Sequence, residues 1–253
     1  VEYLNKKRYK NLNKDWKANI LKIFPNINDD DYIFAYKIRD KCKPDIVISV
    51  NNADRYVSVK VGYRVSPHRE NMENFYAFLM SIGVNKYYIE TLKYYHFGDG
   101  TINGFGKERF CVDDVKKMFK DRIKEFNVFI NDDKYLYKIF DRILKKGNGF
   151  FDCYAEYLYL GNEISGKIVK MDELIEYLVK TKSMYLDSIH FGPFIYTPGY
   201  RGLSDFDPYN YDRYCVVLRW FTIIDDVEYL YGNITSYKAD ALKKENALKL
   251  DKD

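Results

Sequence analysis

Cysteine is scarce in this chain of 253 residues: there are four, Cys42, Cys111, Cys153 and Cys215, all far apart. No CxxC pair and no Cys/His cluster occurs, which argues against a structural zinc site. Disulfide frameworks belong to short secreted chains, so the four are expected to be free thiols in a reducing, cytoplasmic setting. No apolar run approaches the ~20 residues that span a bilayer, so no membrane partner is expected. The opening VEYLNKKRYKNLNKDW is polar and basic, unlike a signal peptide. Neither sign of charge dominates, with 41 Lys and Arg against 37 Asp and Glu. That mild basic excess allows a nucleic-acid partner without requiring one. Internal repeats and low-complexity linkers are also missing.

What the chain does have is apolar and aromatic mass. Hydrophobic residues make up 47%, with 26 Tyr and 17 Phe, enough for a sizeable core. Most of the rings are expected to pack inside, although an exposed set could stack on bases. The length suits one large domain or two small ones. A division near residue 147 is expected, giving a core over 1–147 and an α+β region over 148–253 that contacts substrate.

Periodicity predicts a helix over 13–24, with Trp16, Ile20, Leu21 and Phe24 on one side and Pro25 as its stop. Strands are predicted at 32–38, 44–50 and 55–61. A helix is predicted from Ser66 as cap and Pro67 in the first turn to Gly83, burying Met72, Phe75, Tyr76, Leu79 and Ile82. Residues 85–100 read ambiguously. Helices are expected near 112–124, 131–146 and 171–181, with strand-like runs at 150–161, 190–197 and 213–224. A charged tail closes the chain.

The segment KPDIVISVNNADRYVSVKVG (43–62) carries a lysine in the middle of a strand otherwise built for burial. Side chains alternate along a strand. Ile46, Ile48 and Val50 therefore share one face with Val57, Val59 and Val61. Asp45, Val47 and Ser49 share the other with Tyr56, Ser58 and Lys60. A four-residue NNAD turn pairs Val50 with Arg55 and sets Asp45 directly across from Lys60. Directly opposed Cβ atoms lie about 4.5–5.5 Å apart, so an Asp–Lys pair on the more polar face is predicted.

Pro44-Asp45 followed on the next strand by Ser58-Val59-Lys60 resembles the active-site hairpin of the PD-(D/E)xK, or restriction-endonuclease-like, nuclease superfamily. Ser58 stands where that pattern has a second acid. A branch of restriction enzymes in the superfamily has Ser there too and takes the missing carboxylate from the following helix. The resemblance covers about 40 residues. It implies an α/β fold with a central mixed sheet flanked by helices. It also implies Mg²⁺-dependent hydrolysis of DNA phosphodiester bonds, as in a type II restriction or defence enzyme, with Mn²⁺ able to substitute. Double-stranded DNA would be the partner and a homodimer the assembly.

By the same resemblance Asp45 is the main metal ligand, the Val59 carbonyl a second, and Lys60 orients or deprotonates the attacking water. Glu70 is the first choice for the second acid, with Glu73, Asp40 and Glu2 as alternatives. On a regular helix from Ser66, Glu70 turns toward solvent and His68 falls on the buried stripe, so Ser58 and His68 are auxiliary candidates.

GDGTINGFGKER is not a phosphate loop, because Thr101 stands where a P-loop has glycine and Glu108 where it has Ser or Thr. It reads as a glycine-rich turn that could approach a nucleic-acid backbone with Lys107 and Arg109. Arg64, Arg201 and Arg213 complete the expected nucleic-acid contacts. The competing expectation is a nuclease fold that has lost catalysis and serves as a binding module. A third, unrelated chemistry at His96, Asp99 and His190, has no spacing argument behind it.

Overall fold

The computed structural model describes residues 1–38, 42–63, 65–148, 153–182, 187–204 and 206–232. In chain order its elements are β1 (Lys7–Arg8), α1 (Lys14–Ile23), β2 (Tyr32–Lys37), β3 (Ile46–Val50), β4 (Ala53–Lys60) and β5 (Val65–Asn71). Then follow α2 (Met72–Ser81), α3 (Lys86–Phe97), α4 (Val112–Met118), α5 (Lys120–Ile130) and α6 (Asp133–Phe140), which runs into a π-turn at Asp141–Lys146. The last are β6 (Tyr157–Gly161), β7 (Gly166–Lys170), α7 (Met171–Thr181), β8 (His190–Phe191), β9 (Phe194–Pro198), β10 (Cys215–Trp220) and α8 (Ile223–Gly232). The fold class is α/β, with two sheets.

The chain forms two compact units, and neither is continuous in sequence. The first holds Val1–Val65, Phe140–Thr181 and the chain from Phe221; the second holds Ser66–Ile139 and Lys182–Trp220. The expected division at residue 147 is therefore not the observed one.

The first unit is built on a six-stranded mixed sheet in the order β1-β2-β3-β4-β6-β7. Only β4 and β6 run parallel, with Val57 beside Tyr157 and Lys60 beside Leu160. One face is apolar because the alternation demands it: Ile33, Ala35, Ile48, Val50 and Val57 are all buried against Trp16, Ile20 and Ile23 of α1. Asn13 caps α1 by accepting from the Trp16 amide at 2.9 Å. Leu21, expected in the buried stripe, is exposed, and Ile23 packs inward in its place.

In the second unit, the four-stranded sheet runs β5-β10-β9-β8. Its core is aromatic, with Phe75, Phe126 and Phe191 meeting edge to face. Residues 65–71 form a strand where a helix start is predicted. Two local facts explain the difference. Pro67 is tolerated because β5 is an edge strand. Asn71, not Ser66, caps the helix, accepting from the Glu73 amide at 2.9 Å. The predicted stripe survives the later start: Met72, Phe75, Tyr76 and Leu79 are buried. The ambiguous stretch is α3, started by the Asn85 cap and closed by Gly98 in the left-handed region at φ 61°. Asp40, Arg64 and the charged tail lie outside the described residues.

Candidate active site

The β3–β4 hairpin closes on two residues, Asn51 and Asn52, both left-handed with φ of 50° and 62°. That backbone is the tight turn whose twist matches a hairpin, and asparagine tolerates it. Val50 consequently pairs with Ala53 and Val47 with Tyr56. The expected four-residue turn, which paired Val50 with Arg55, is thus corrected. The slip is an even one, so every side chain keeps its face. Asp45 lies just before β3, level with Ser58, and Lys60 is its diagonal neighbour on the same side.

The sequence folds this way at Asp45 because Pro44 precedes it and the ladder ends there. Asp45 keeps its backbone bonds, donating to the Val57 carbonyl at 2.9 Å and accepting from the Ile38 amide at 3.1 Å. Its carboxylate then takes the place a strand carbonyl would fill. Oδ2 accepts from the Val59 amide at 2.6 Å and from the Ser58 hydroxyl at 3.1 Å. Lys60 Nζ approaches the same oxygen at 3.7 Å. The ammonium donates to Ser58 Oγ and to the Val59 carbonyl, each at 3.1 Å.

Lys60 is largely covered, with 17% of its side chain exposed, while Asp45 is 49% exposed. One carboxylate oxygen thus gathers an amide, a hydroxyl and an ammonium, and its other oxygen takes part in none of these contacts. Buried Ser58 is the bridge between carboxylate and ammonium.

Asp45 also borders a cleft of about 430 Å³ at the end of the sheet where β4 and β6 finish. Glu163, in the β6–β7 turn, lines the same cleft. Sequence reasoning missed Glu163. The signal that could have pointed to it is the parallel pairing of β6 with β4, invisible across about 100 intervening residues.

Glu70 has a different setting from the one expected. It lies in the second unit, on β5, with a fully buried carboxylate 2.7 Å from His68 Nε2. Both alternate inward from one strand, which is why His68 is buried as expected, though not on a helix. Glu73, in the first turn of α2, is paired with Lys93 at 3.0 Å. Among the described residues no three His, Cys, Asp or Glu side chains converge as a ready metal-ligand set.

Of the expected nucleic-acid contacts, Lys107 is exposed, as such a role requires. Arg109 is half-buried, donating to the Gly106 carbonyl at 2.8 Å beneath the ring of Phe206. Arg201 and Arg213 are buried. Arg201 donates to the Tyr95 carbonyl, and Arg213 to the carbonyls of Arg201 and Gly104. These two buried guanidiniums tie the end of α3 and neighbouring loops together, which corrects the expectation that they lie open to a polyanion.

The glycine-rich turn closes on itself too, Asp99 accepting from the amides of Thr101 and Gly106. His96 is wholly buried between Tyr196 and the Arg213 carbonyl, and burial lowers its pKa to about 4. Because a carbonyl only accepts, Nε2 carries the proton and Nδ1 accepts from Tyr196. His190 is buried as well, with its pKa lowered by burial.

No protein-family model matches the chain, and no curated protein matches it. None of the helices among the described residues is long and apolar enough to cross a membrane.

Proposed function

We propose that the first unit is a divalent-metal-dependent phosphodiesterase of the restriction-endonuclease-like type, acting on DNA, with Asp45 and Lys60 at its centre. The observation that carries this reading is the convergence of the Val59 amide, the Ser58 hydroxyl and Lys60 Nζ on Asp45 Oδ2. An exposed surface ion pair would be worth little and would need no such framework. Here a largely covered lysine stands beside a half-open carboxylate at the rim of a cleft.

The donors present fit a hard cation in part. Asp45 and the Val59 carbonyl are oxygen ligands, and Mg²⁺ readily keeps waters in its remaining positions. Such an ion would supply charge stabilisation for the phosphoryl centre. The Lys60 ammonium would orient the attacking water or steady the leaving oxygen. Glu163 is the candidate for the further acid, because it shares the cleft with Asp45. A homodimer would give two such sites, one for each strand of a duplex.

Ser58 in the acid position favours a second reading, a catalytically silent module that binds nucleic acid or a protein partner. Incubating the full chain with single- and double-stranded DNA in Mg²⁺, Mn²⁺ or EDTA separates the two. Cleavage in either metal and none in EDTA supports hydrolysis; DNA binding without cleavage in both metals supports the module.

A further inference from the structure

Alternation sends every second residue of β2 away from the core, and there the sequence places rings. Ile33 and Ala35 are buried in the core with α1, while Tyr32, Phe34 and Tyr36 stand on the opposite face, 45%, 36% and 52% exposed. A run of large rings on open surface, with a filled core behind the strand, marks a binding surface.

The register carries this row toward Asp45. Tyr36 pairs with Val47 and Val47 with Tyr56, so the half-buried ring of Tyr56 joins the same face from β4. The Ile38 amide bonds the Asp45 carbonyl, which sets Tyr36 diagonally beside Asp45 on one side of the sheet. Phe34 faces Ser49, a side chain too small to cover its ring.

The other border of the row is basic. β1 lies beside β2, and residues 6–10 read KKRYK, four cations in five positions. Arg8 lies over Tyr32, its guanidinium 5.1 Å from the ring centroid. Arg8 and Lys10 share one acid, Asp30, so that group keeps a positive charge. Asp54 stands exposed at the β4 side of the ring face, where it can accept from a base amino group.

We infer that this face binds unpaired nucleotides of a single nucleic-acid strand, with bases on the rings of β2, phosphates at the Arg8–Lys10 end, and the strand running along β2 toward the Asp45–Lys60 group. Alternate residues of a strand are about 6.8 Å apart, twice the roughly 3.4 Å step of a nucleic-acid strand, so the space between neighbouring rings admits one base. Stacking needs no particular base, and a duplex hides its base faces, so the ligand is single-stranded or locally unpaired. The strand's course toward Asp45 rests on the proposed function; its hold on the rings does not.

Fluorescein-labelled oligo(dT), alone and as a duplex with oligo(dA), is titrated with the full chain in EDTA, and anisotropy is followed. The single strand should bind at least about tenfold more tightly than the duplex. Phe34→Ala and Tyr36→Ala remove exposed rings that the core does not use. Each should weaken single-strand binding at least about fivefold, the scale of one lost stacking contact, and leave its salt dependence unchanged. Arg8→Gln should instead flatten the salt dependence. Thermal unfolding of each variant, read alongside, separates lost binding from lost folding.

Ring-dependent single-strand binding by a protein that cuts nothing in Mg²⁺ would retain the platform and remove the hydrolytic reading. Full-rate DNA cleavage by both ring variants, with duplex bound as tightly as single strand, would remove the platform and retain hydrolysis. Single-strand affinity unchanged by either ring substitution would overturn the inference. So would a wild-type dimer that both substitutions dissociate without altering DNA binding, which would make the face a contact between two copies of the chain.

Discussion

Lys60 and Asp45 meet across the β3–β4 hairpin with the ammonium nitrogen 3.7 Å from Oδ2 and 3.1 Å from the Val59 carbonyl oxygen. The ammonium therefore sits against the Val59 carbonyl and one carboxylate oxygen of Asp45, the two groups that would hold a metal ion. A cation arriving there would share the Val59 carbonyl with Lys60 or displace it.

The two residues should accordingly act on metal affinity with opposite signs. Removing the ammonium in Lys60→Met relieves like-charge repulsion and frees the Val59 carbonyl, so Mn²⁺ should bind more tightly, by several-fold. Removing the carboxylate charge in Asp45→Asn should weaken it by more than about tenfold. Free Mn²⁺ measured by paramagnetic resonance during titration reads both. A parallel loss in the two variants would mean that Lys60 helps hold the ion rather than competing with it.

The hairpin turn tests the register. Asn52 sits at φ 62°, where a β-branched side chain is strained and glycine is not. Asn52→Val should cost about 1–2 kcal/mol of stability in chemical denaturation, and Asn52→Gly should be neutral or stabilising. Equal stability for all three proteins would contradict the two-residue turn.

A similar contrast applies at the start of α2. Asn71→Ala should cost about 1 kcal/mol, because the Glu73 amide loses its acceptor. Ser66→Ala should stay within about 0.5 kcal/mol, because it removes only an exposed hydrogen bond from Arg219 and no cap. The reverse order would restore a helix beginning at Ser66.

These contrasts mark what was legible in the sequence. Alternation alone put Asp45, Ser58 and Lys60 on one face and the valines and isoleucines on the other, since parity survives an even slip. The slip itself was hidden because NNAD is equally polar as a loop or as a turn leading into a strand. Helical spacing located Met72, Phe75, Tyr76 and Leu79, but 65–71 lost to the pairing of β5 with β10, a partner about 150 residues away. The burial of Arg201 and Arg213 was equally illegible. Nothing local says that a guanidinium will be spent on carbonyls of Tyr95, Arg201 and Gly104. The two discontinuous units have the same origin, in pairings made across long sequence separations.

The second unit should lose stability in acid. Burial depresses His96 from an ordinary 6.5 to about 4 in the folded chain. Between those values the unfolded chain holds the extra proton and the folded chain does not. Stability is therefore full above pH 6.5 and falls as the pH drops toward 4, by on the order of 3 kcal/mol from this group. His190, depressed in the same direction, adds to the loss. Urea unfolding from pH 7 to 4 should show the decline, and His96→Gln should flatten it. An unchanged slope in that variant would show that other groups carry the acid sensitivity.

The most direct test of the whole account is the initial rate of strand cleavage in Mg²⁺ by the wild-type chain beside Asp45→Asn and Lys60→Met, at saturating DNA. The account predicts a loss of at least about 100-fold in each, the scale of a lost proton-transfer group or metal ligand, with DNA still bound. Wild-type cleavage that persists at full rate in both variants would place the chemistry elsewhere and contradict it.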